Sequence, residues 1–208
     1  MHKDRDSLRQ ASESFSVRSS VRNRDEAILI EQAKRLDPAA FSTLYKRHVQ
    51  AIYRYVYYRV GDVEVAEDLV SEVFLKALEG IESFTYIGVP FSSWLYRIAR
   101  DRVNEYFRRQ AKRAHLPLDE TLVSAKVEPH TEVEARLQQE KLRLAIARLT
   151  EDQQQVVILK FIEGLSNATV AQILGKTEGA GKSLQHRALA SLQRILTETE
   201  GDWNETGF

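Results

Sequence analysis

Residues Phe91 to Arg109 read FSSWLYRIARDRVNEYFRR, and the spacing of their apolar and basic side chains decides the class of the fold. At roughly 100° per residue, Leu95, Ala99, Val103 and Tyr106 fall on one side of a helix. Arg97, Arg100, Asn104 and Arg108 gather on the other side, within about 80° of arc. The apolar face is suited to packing. The polar face lines up guanidinium groups and an amide with Trp94 at its edge, which suits a nucleic-acid backbone or unstacked bases. The same pattern also describes an amphipathic helix whose basic side is simply solvated. What flanks the helix must decide between the two.

The flanks are helical as well. Pro38 to Val60 reads as a helix with Asp37 as N-cap, proline at the first helical position and Gly61 as its stop, and a shorter helix precedes it from Glu26 to Arg35. Asp62 caps the next helix. Its stripe of Val65, Ala66, Leu69, Val70, Val73, Phe74 and Ala77 leaves Glu64, Glu67, Asp68, Ser71 and Glu72 facing outward. Gly80 to Pro90 breaks the rhythm and reads as a loop holding the aromatics Phe84 and Tyr86. Beyond Arg113, HLPLDETLVSAKVEPHTE contains two prolines and no sustained period, the composition of a linker.

A second rhythm starts near Glu132. Leu142, Ala145, Ile146 and Leu149 form one stripe, Thr150 caps a helix running through Phe161, and Gly164 closes it. Leu165 and Ser166 read as a staple residue and an N-cap, with Val170 placed to meet Leu165. That short helix ends at Gly175, the turn KTEG follows, and a last helix runs from about Ala180 to Thr197. It turns Leu184, Ala188, Leu192 and Ile195 inward and Lys182, Ser183, His186, Arg187 and Arg194 outward. A short capped helix, a glycine-bearing turn and a longer helix with a basic outer face make a helix-turn-helix, although ordinary helical hairpins share the pattern. The expected fold is therefore all-α. Two small helical domains, 26–113 and 132–197, are joined by a flexible linker at 114–131, with a disordered tail at 1–25 and an acidic tail at 198–208.

Composition narrows the function. With 208 residues, 43% of them hydrophobic, the chain can build sizeable cores, and with no cysteine it offers no disulfide, thiolate metal site or thiol nucleophile. A reducing cytoplasm is the expected compartment. No apolar run approaches membrane-span length, so no membrane insertion is expected, and the first residues lack the apolar core of a secretory signal. The formal net charge is zero, but the charges are sorted into blocks. Arg97, Arg100, Arg102, Arg108, Arg109, Lys112 and Arg113 face only Asp101 and Glu105, whereas Asp62 to Glu79 is acidic apart from Lys76. A neutral total thus conceals a basic surface beside an acidic one.

Three segments together carry a family resemblance. AEDLVSEVFLKAL (Ala66 to Leu78), PFSSWLYRIARDRVNEYFRRQ (Pro90 to Gln110) and GLSNATVAQILGKTEGAGKSLQHRALASL (Gly164 to Leu192) resemble segments of bacterial extracytoplasmic-function (ECF) sigma factors, in the family's order and at its spacing. The resemblance runs from about Glu26 to Leu196. It implies a sigma subunit that binds core RNA polymerase, through the beta-prime clamp and the beta subunit, and directs promoter DNA recognition and melting. On that reading Asp68, Ser71 and Glu72 meet the polymerase clamp. Phe84, Tyr86, Phe91, Trp94, Arg97, Arg100, Asn104 and Arg108 serve the minus-ten element, each aromatic ring being equally suited to core packing. Lys182, Ser183, His186 and Arg187 serve the minus-thirty-five element, on bases or phosphates. The family commonly adds an anti-sigma factor as a partner. One departure from its pattern is Gly181, where a branched apolar residue is usual, so a mobile or late-starting recognition helix is expected there and an apolar replacement should stabilise it.

Other chemistry finds little support. GKTEGAGKS is not a phosphate-binding loop, because five residues lie between Gly175 and Gly181 where that loop needs four, and AQIL before it reads as helix. His48, His115, His130 and His186 show no metal spacing and no GxSxG elbow exists, so no cofactor, metal or catalytic residue is expected. A helix-turn-helix regulator that is not a sigma subunit would leave the acidic helix and aromatic loop unexplained. A helical protein-binding adaptor would not need two basic helices. The acidic end, with Glu198, Glu200, Asp202 and Glu205 around Trp203, reads as a solvated tail more readily than as a segment folded back on a basic helix.

Overall fold

A computed structural model describes residues 24–85, 90–114 and 133–205, all helices, turns and short extended links, with no strand among the described residues. Helix α1 spans residues 24–34. Helix α2 (Pro38–Val60) starts where Asp37 Oδ1 accepts the Ala39 N–H at 2.9 Å, and it stops at Gly61, which adopts the left-handed conformation at φ +76°. Helix α3 (Val63–Gly80) starts on Asp62, whose Oδ1 accepts the Val65 N–H at 2.8 Å. A 3₁₀ turn at Ile81–Ser83 follows, and the two-faced segment forms α4 (Phe91–Ala114). The apolar stripes read from the sequence are the core: Val73, Leu95, Ala99 and Val103 have no exposed surface.

The second domain comprises α5 (Val133–Ala147), α6 (Glu151–Val157) continued by a π turn at Ile158–Ile162, α7 (Asn167–Leu174) and α8 (Glu178–Glu205). The π turn lies within the stretch expected as one regular helix to Phe161. Ser166 Oγ accepts the Thr169 N–H at 3.1 Å to start α7, and Gly175, at φ +66°, stops it. Two expectations at α8 are corrected. The helix begins at Glu178, held by the Thr177 hydroxyl and carbonyl, so Gly181 lies inside its second turn and the start is not late. A Cβ built on Gly181 would stand 3.4 Å from the Ala171 Cβ, an ordinary contact, so the packing of α8 on α7 leaves room for a methyl group at this position. At its other end α8 runs on to Glu205 through most of the segment expected as a tail, and Glu198 bonds Arg148 at 3.0 Å and Arg194 at 2.8 Å. The expected linker, Tyr86 and nearly all of the N-terminal tail lie outside the described residues.

The two domains do not stand apart. Helix α4 packs against α7, and α2 against α5 and the π turn, so the buried side chains of both domains form one continuous cluster.

Candidate nucleic-acid and polymerase interfaces

The outward face of α3 carries Asp68, Ser71 and Glu72, all exposed, as the sequence predicts. Leu75 and Leu78 stand exposed one and two turns further along, so the face pairs negative charge with apolar surface. That combination suits a protein partner better than a purely acidic stripe does, and periodicity alone did not reveal it. Beside it, Val65, Asp68, Leu69 and Glu72 of α3 meet Arg102, Glu105, Tyr106 and Arg109 of α4 around a cleft of about 150 Å³. Glu105 there pairs with Arg102 at 2.7 Å and with Arg109. The Arg109 hydrogen bond, helped by the neighbouring guanidinium charges, holds its carboxyl below the usual range.

On α8, Lys182, Ser183, His186 and Arg187 are exposed along one outer face while Leu184, Ala188 and Leu192 face inward. Lys182 bonds Glu178 one turn earlier at 3.1 Å, a surface pair that a stronger anion can displace. The set expected on the recognition helix is therefore together and accessible.

The α4 set is divided. Phe84 and Phe91 are buried at 6% and 1% exposure and form an edge-on pair 5.4 Å apart, with Trp94 5.0 Å from Phe84 and 5.5 Å from Phe91. These two rings therefore belong to the core, because their ring–ring contacts already use the apolar surface that a base would need. Trp94 keeps part of its surface outside, and Tyr86 lies outside the described residues.

The polar face of α4 is occupied by the second domain. Arg97 Nη2 donates to the Gln172 carbonyl at 2.9 Å and Arg100 Nη1 to the Ile173 carbonyl at 3.0 Å, both in the last turn of α7. Carbonyls at a helix C-terminus lack intrahelical partners and sit at the negative end of the helix dipole, so cations suit them. Asn104 Nδ2 donates to Glu151 Oε1 at 2.7 Å, and its Oδ1 accepts from Arg59 Nη2 at 3.2 Å. Arg108 is exposed.

Three residues that periodicity did not single out complete this seam. Arg54 of α2 places Nε and Nη2 on the two carboxylate oxygens of Glu163, at 2.9 and 2.8 Å, and the Tyr96 hydroxyl donates to the same carboxylate at 3.1 Å. The Glu163 side chain is 3% exposed whereas that of Arg54 is 47% exposed. The fork geometry fits the bidentate preference of guanidinium, and the hydrogen bond to Glu163 raises the Arg54 pKa. Tyr96 is held well above the usual tyrosine range, first by burial and then by the charge of Glu163. Only the run of bases in α2 hinted at such a role, since Arg54 and Arg59 sit in YRYVYYRV among aromatic residues.

No group of residues able to hold a metal ion occurs among the described residues, and none of their helices is long and apolar enough to cross a membrane.

Comparison with known proteins agrees with this layout. Models of Sigma-70 region 2 and Sigma-70, region 4 match residues 44–113 and 139–192. The ECF RNA polymerase sigma factor BldN of Streptomyces coelicolor is 42% identical over 172 residues, covering 82% of this chain and 65% of that protein. The ECF RNA polymerase sigma factor SigL of Mycobacterium tuberculosis is 30% identical over 171 residues, covering 81% of this chain and 96% of that one. Among solved structures, the sigma factor RpoE in complex with the anti-sigma factor NepR from Bartonella quintana shares the fold, with a TM-score of 0.60 at 22% identity over 76% of this chain and 96% of that one. The acidic helix, the two-faced helix and the helix-turn-helix thus occur in a chain that belongs to the ECF sigma factors of the sigma-70 family.

Proposed function

We propose that this chain binds core RNA polymerase and directs promoter recognition and melting for transcription initiation in the cytoplasm, with RNA synthesis left to the polymerase. In this reading Asp68, Ser71 and Glu72 dock on the beta-prime clamp, and Leu75 and Leu78 supply apolar area beside them. Lys182, Ser183, His186 and Arg187 contact the minus-thirty-five element, where arginine and lysine fit guanine edges and phosphates. Trp94, Arg97, Arg100, Asn104 and Arg108 serve the minus-ten region, and a partly exposed indole is the group that offsets the unstacking of a base. Phe84 and Phe91 act by holding Trp94 in place. The observation that carries this reading is the separation of an exposed acidic and apolar face on α3 from an exposed basic face on α8. An anti-sigma factor is a further proposed partner, by likeness to the sigma factor solved with NepR.

In-vitro transcription with core polymerase tests the proposal. Added chain should confer initiation at defined promoters selected from genomic fragments. A chain that binds core yet never supports promoter-specific starts would overturn the initiation role. A chain that binds duplex DNA but not core would be an ordinary helix-turn-helix regulator.

A further inference from the structure

Helix α1 ends in a turn that ordinarily calls for glycine. The Leu36 N–H donates to the Ala33 carbonyl at 3.0 Å and the Asp37 N–H to the Gln32 carbonyl at 3.2 Å, a doubly bonded helix stop that sets one residue in the left-handed region. Leu36 is that residue, at φ +63°, the only one other than glycine with a positive φ among the described residues. A Cβ makes the conformation costly, and burial recovers little of the cost, because Leu36 is 69% exposed. What the leucine does instead is wall a groove. With Ala33, with Pro38, Phe41 and Tyr45 of α2, and with Leu78 of α3, it encloses about 450 Å³ of mostly apolar lining. Tyr45 stands edge-on to Phe74 at 4.7 Å, which fixes that wall, yet Tyr45 and Leu78 both stay exposed.

We propose that this groove is the seat of the chain's own N-terminal arm, residues 14–23, with Phe15 as its anchor. The arm reads SFSVRSSVRN and joins α1 at Arg24. From Arg24 to Ala33 the helix rises about 14 Å at 1.5 Å per residue. An arm that doubles back along α1 at about 3.3 Å per residue covers that distance in four or five residues, after about two to five for the turn. Phe15 and Val17, nine and seven residues before Arg24, therefore arrive at the groove. In an extended arm these two side chains share one face, with Ser16 and Arg18 on the other.

The chemistry of arm and groove matches. A phenylalanine ring suits walls made of leucine, phenylalanine and tyrosine, where it gains both area and ring contacts. Residues 14–23 hold Arg18 and Arg22 and no carboxylate, whereas the charged member of the groove lining is Asp37. Seated there, the arm gives Leu36 the burial that offsets its conformation. The arm is then a packed part of the first domain rather than the disordered tail its composition suggests, and it borders the exposed Leu75 and Leu78 of α3.

A nitroxide on Ser14→Cys, a single thiol in a chain otherwise without cysteine, reports the state of the arm in the full-length protein. Its electron paramagnetic resonance lines should be broad. Phe15→Ala with Val17→Ala, and separately Leu78→Glu in the groove wall, should sharpen them to those of a free chain, shortening the correlation time by about tenfold. Leu137→Glu, the same change at an exposed leucine of the second domain, should leave them broad, with circular dichroism reporting an intact helical fold throughout. Leu36→Gly adds a readout through stability. Glycine relieves the left-handed conformation in any background, so it should raise the melting temperature by about 2–4 °C in the Phe15→Ala, Val17→Ala chain. In the parent the gain should be smaller or reversed, because there the leucine also holds the arm. Sharp lines in the parent would overturn the seat, as would equal gains from Leu36→Gly in both backgrounds. Broad lines unmoved by Leu78→Glu would place the arm elsewhere. Broad lines that appear only as concentration rises, with sedimentation showing a dimer, would give the groove to a second copy of the chain instead.

Discussion

At Gly61 the backbone lies at φ +76°, and the Arg143 guanidinium of the second domain covers the spot where a Cβ would project, overlapping Nη1. Both facts penalise a side chain there. Gly61→Ala is expected to destabilise by about 1–2 kcal/mol from the left-handed conformation alone, with a further loss from displacing Arg143. Thermal melts in the parent and in an Arg143→Ala background separate the two: a smaller penalty in the second background assigns the difference to the domain contact, and equal penalties would show that Arg143 simply moves aside. Gly181 differs because its φ is helical and the ideal Cβ meets Ala171 Cβ at an ordinary 3.4 Å. Gly181→Ala should therefore raise stability by up to about 1 kcal/mol, the propensity difference in a helix interior. A lower melting temperature would mean that α7 and α8 cannot accept even a methyl group between them. The stabilising sign expected for an apolar replacement is kept in this prediction, whereas the late helix start is not, because Thr177 anchors the first turn upstream of the glycine.

Single helices could be read from sequence because their signals are local. Asp37, Asp62, Ser166, Gly61 and Gly175 act within one turn of their own position, so caps and stops fell where the chain indicated. The exposed sets on α3 and α8 were legible for the same reason, since a helical period fixes which residues share a face. The aromatic group was not legible. Phe84 sits in a loop, outside any period that would mark it as inward, whereas Phe91 opens α4 four residues before Leu95 on the apolar stripe, and their mutual packing seats both rings in the core. The α3 face yields a test at its own scale. Asp68→Arg with Glu72→Arg should lower core polymerase affinity by one to two orders of magnitude, roughly the effect of reversing charge at the centre of an interface. Duplex binding by α8 should be unchanged. Intact core binding by this variant would remove α3 from the interface. On α8, His186→Ala with Arg187→Ala should weaken minus-thirty-five duplex binding in a gel-shift titration by about tenfold or more. An unaffected complex would place the recognition face elsewhere.

At the scale of the whole molecule, periodicity marks a polar face and says nothing about what the face meets. The sequence therefore predicted two domains on a tether, and the structure joins them through the polar side of α4 and the neighbouring α2. Two tyrosines give that union a pH signature. Tyr55 is fully buried and its pKa is pushed up to about 12, first by burial and against the opposing charges of Arg59 and Arg100. Tyr96 is raised as well, by burial and then by Glu163 across the seam. Both hydroxyls hold their protons more tightly folded than unfolded, so their contribution to stability is complete below the unfolded tyrosine pKa of about 10 and is lost as pH rises above it. Denaturant unfolding should show constant stability from these groups up to about pH 10 and a decline beyond it. Tyrosinate absorbance from the buried pair should appear together with loss of structure rather than before it. Tyr55→Phe with Tyr96→Phe removes both titrations and should flatten the alkaline limb. Tyr96→Phe alone also deletes the hydroxyl bonded to Glu163, so it should lower energy transfer between dyes placed on the two domains at neutral pH as well. An alkaline limb identical in parent and double variant would show that neither tyrosine is buried in solution as it is here, and that the domains are already apart before the base reaches them.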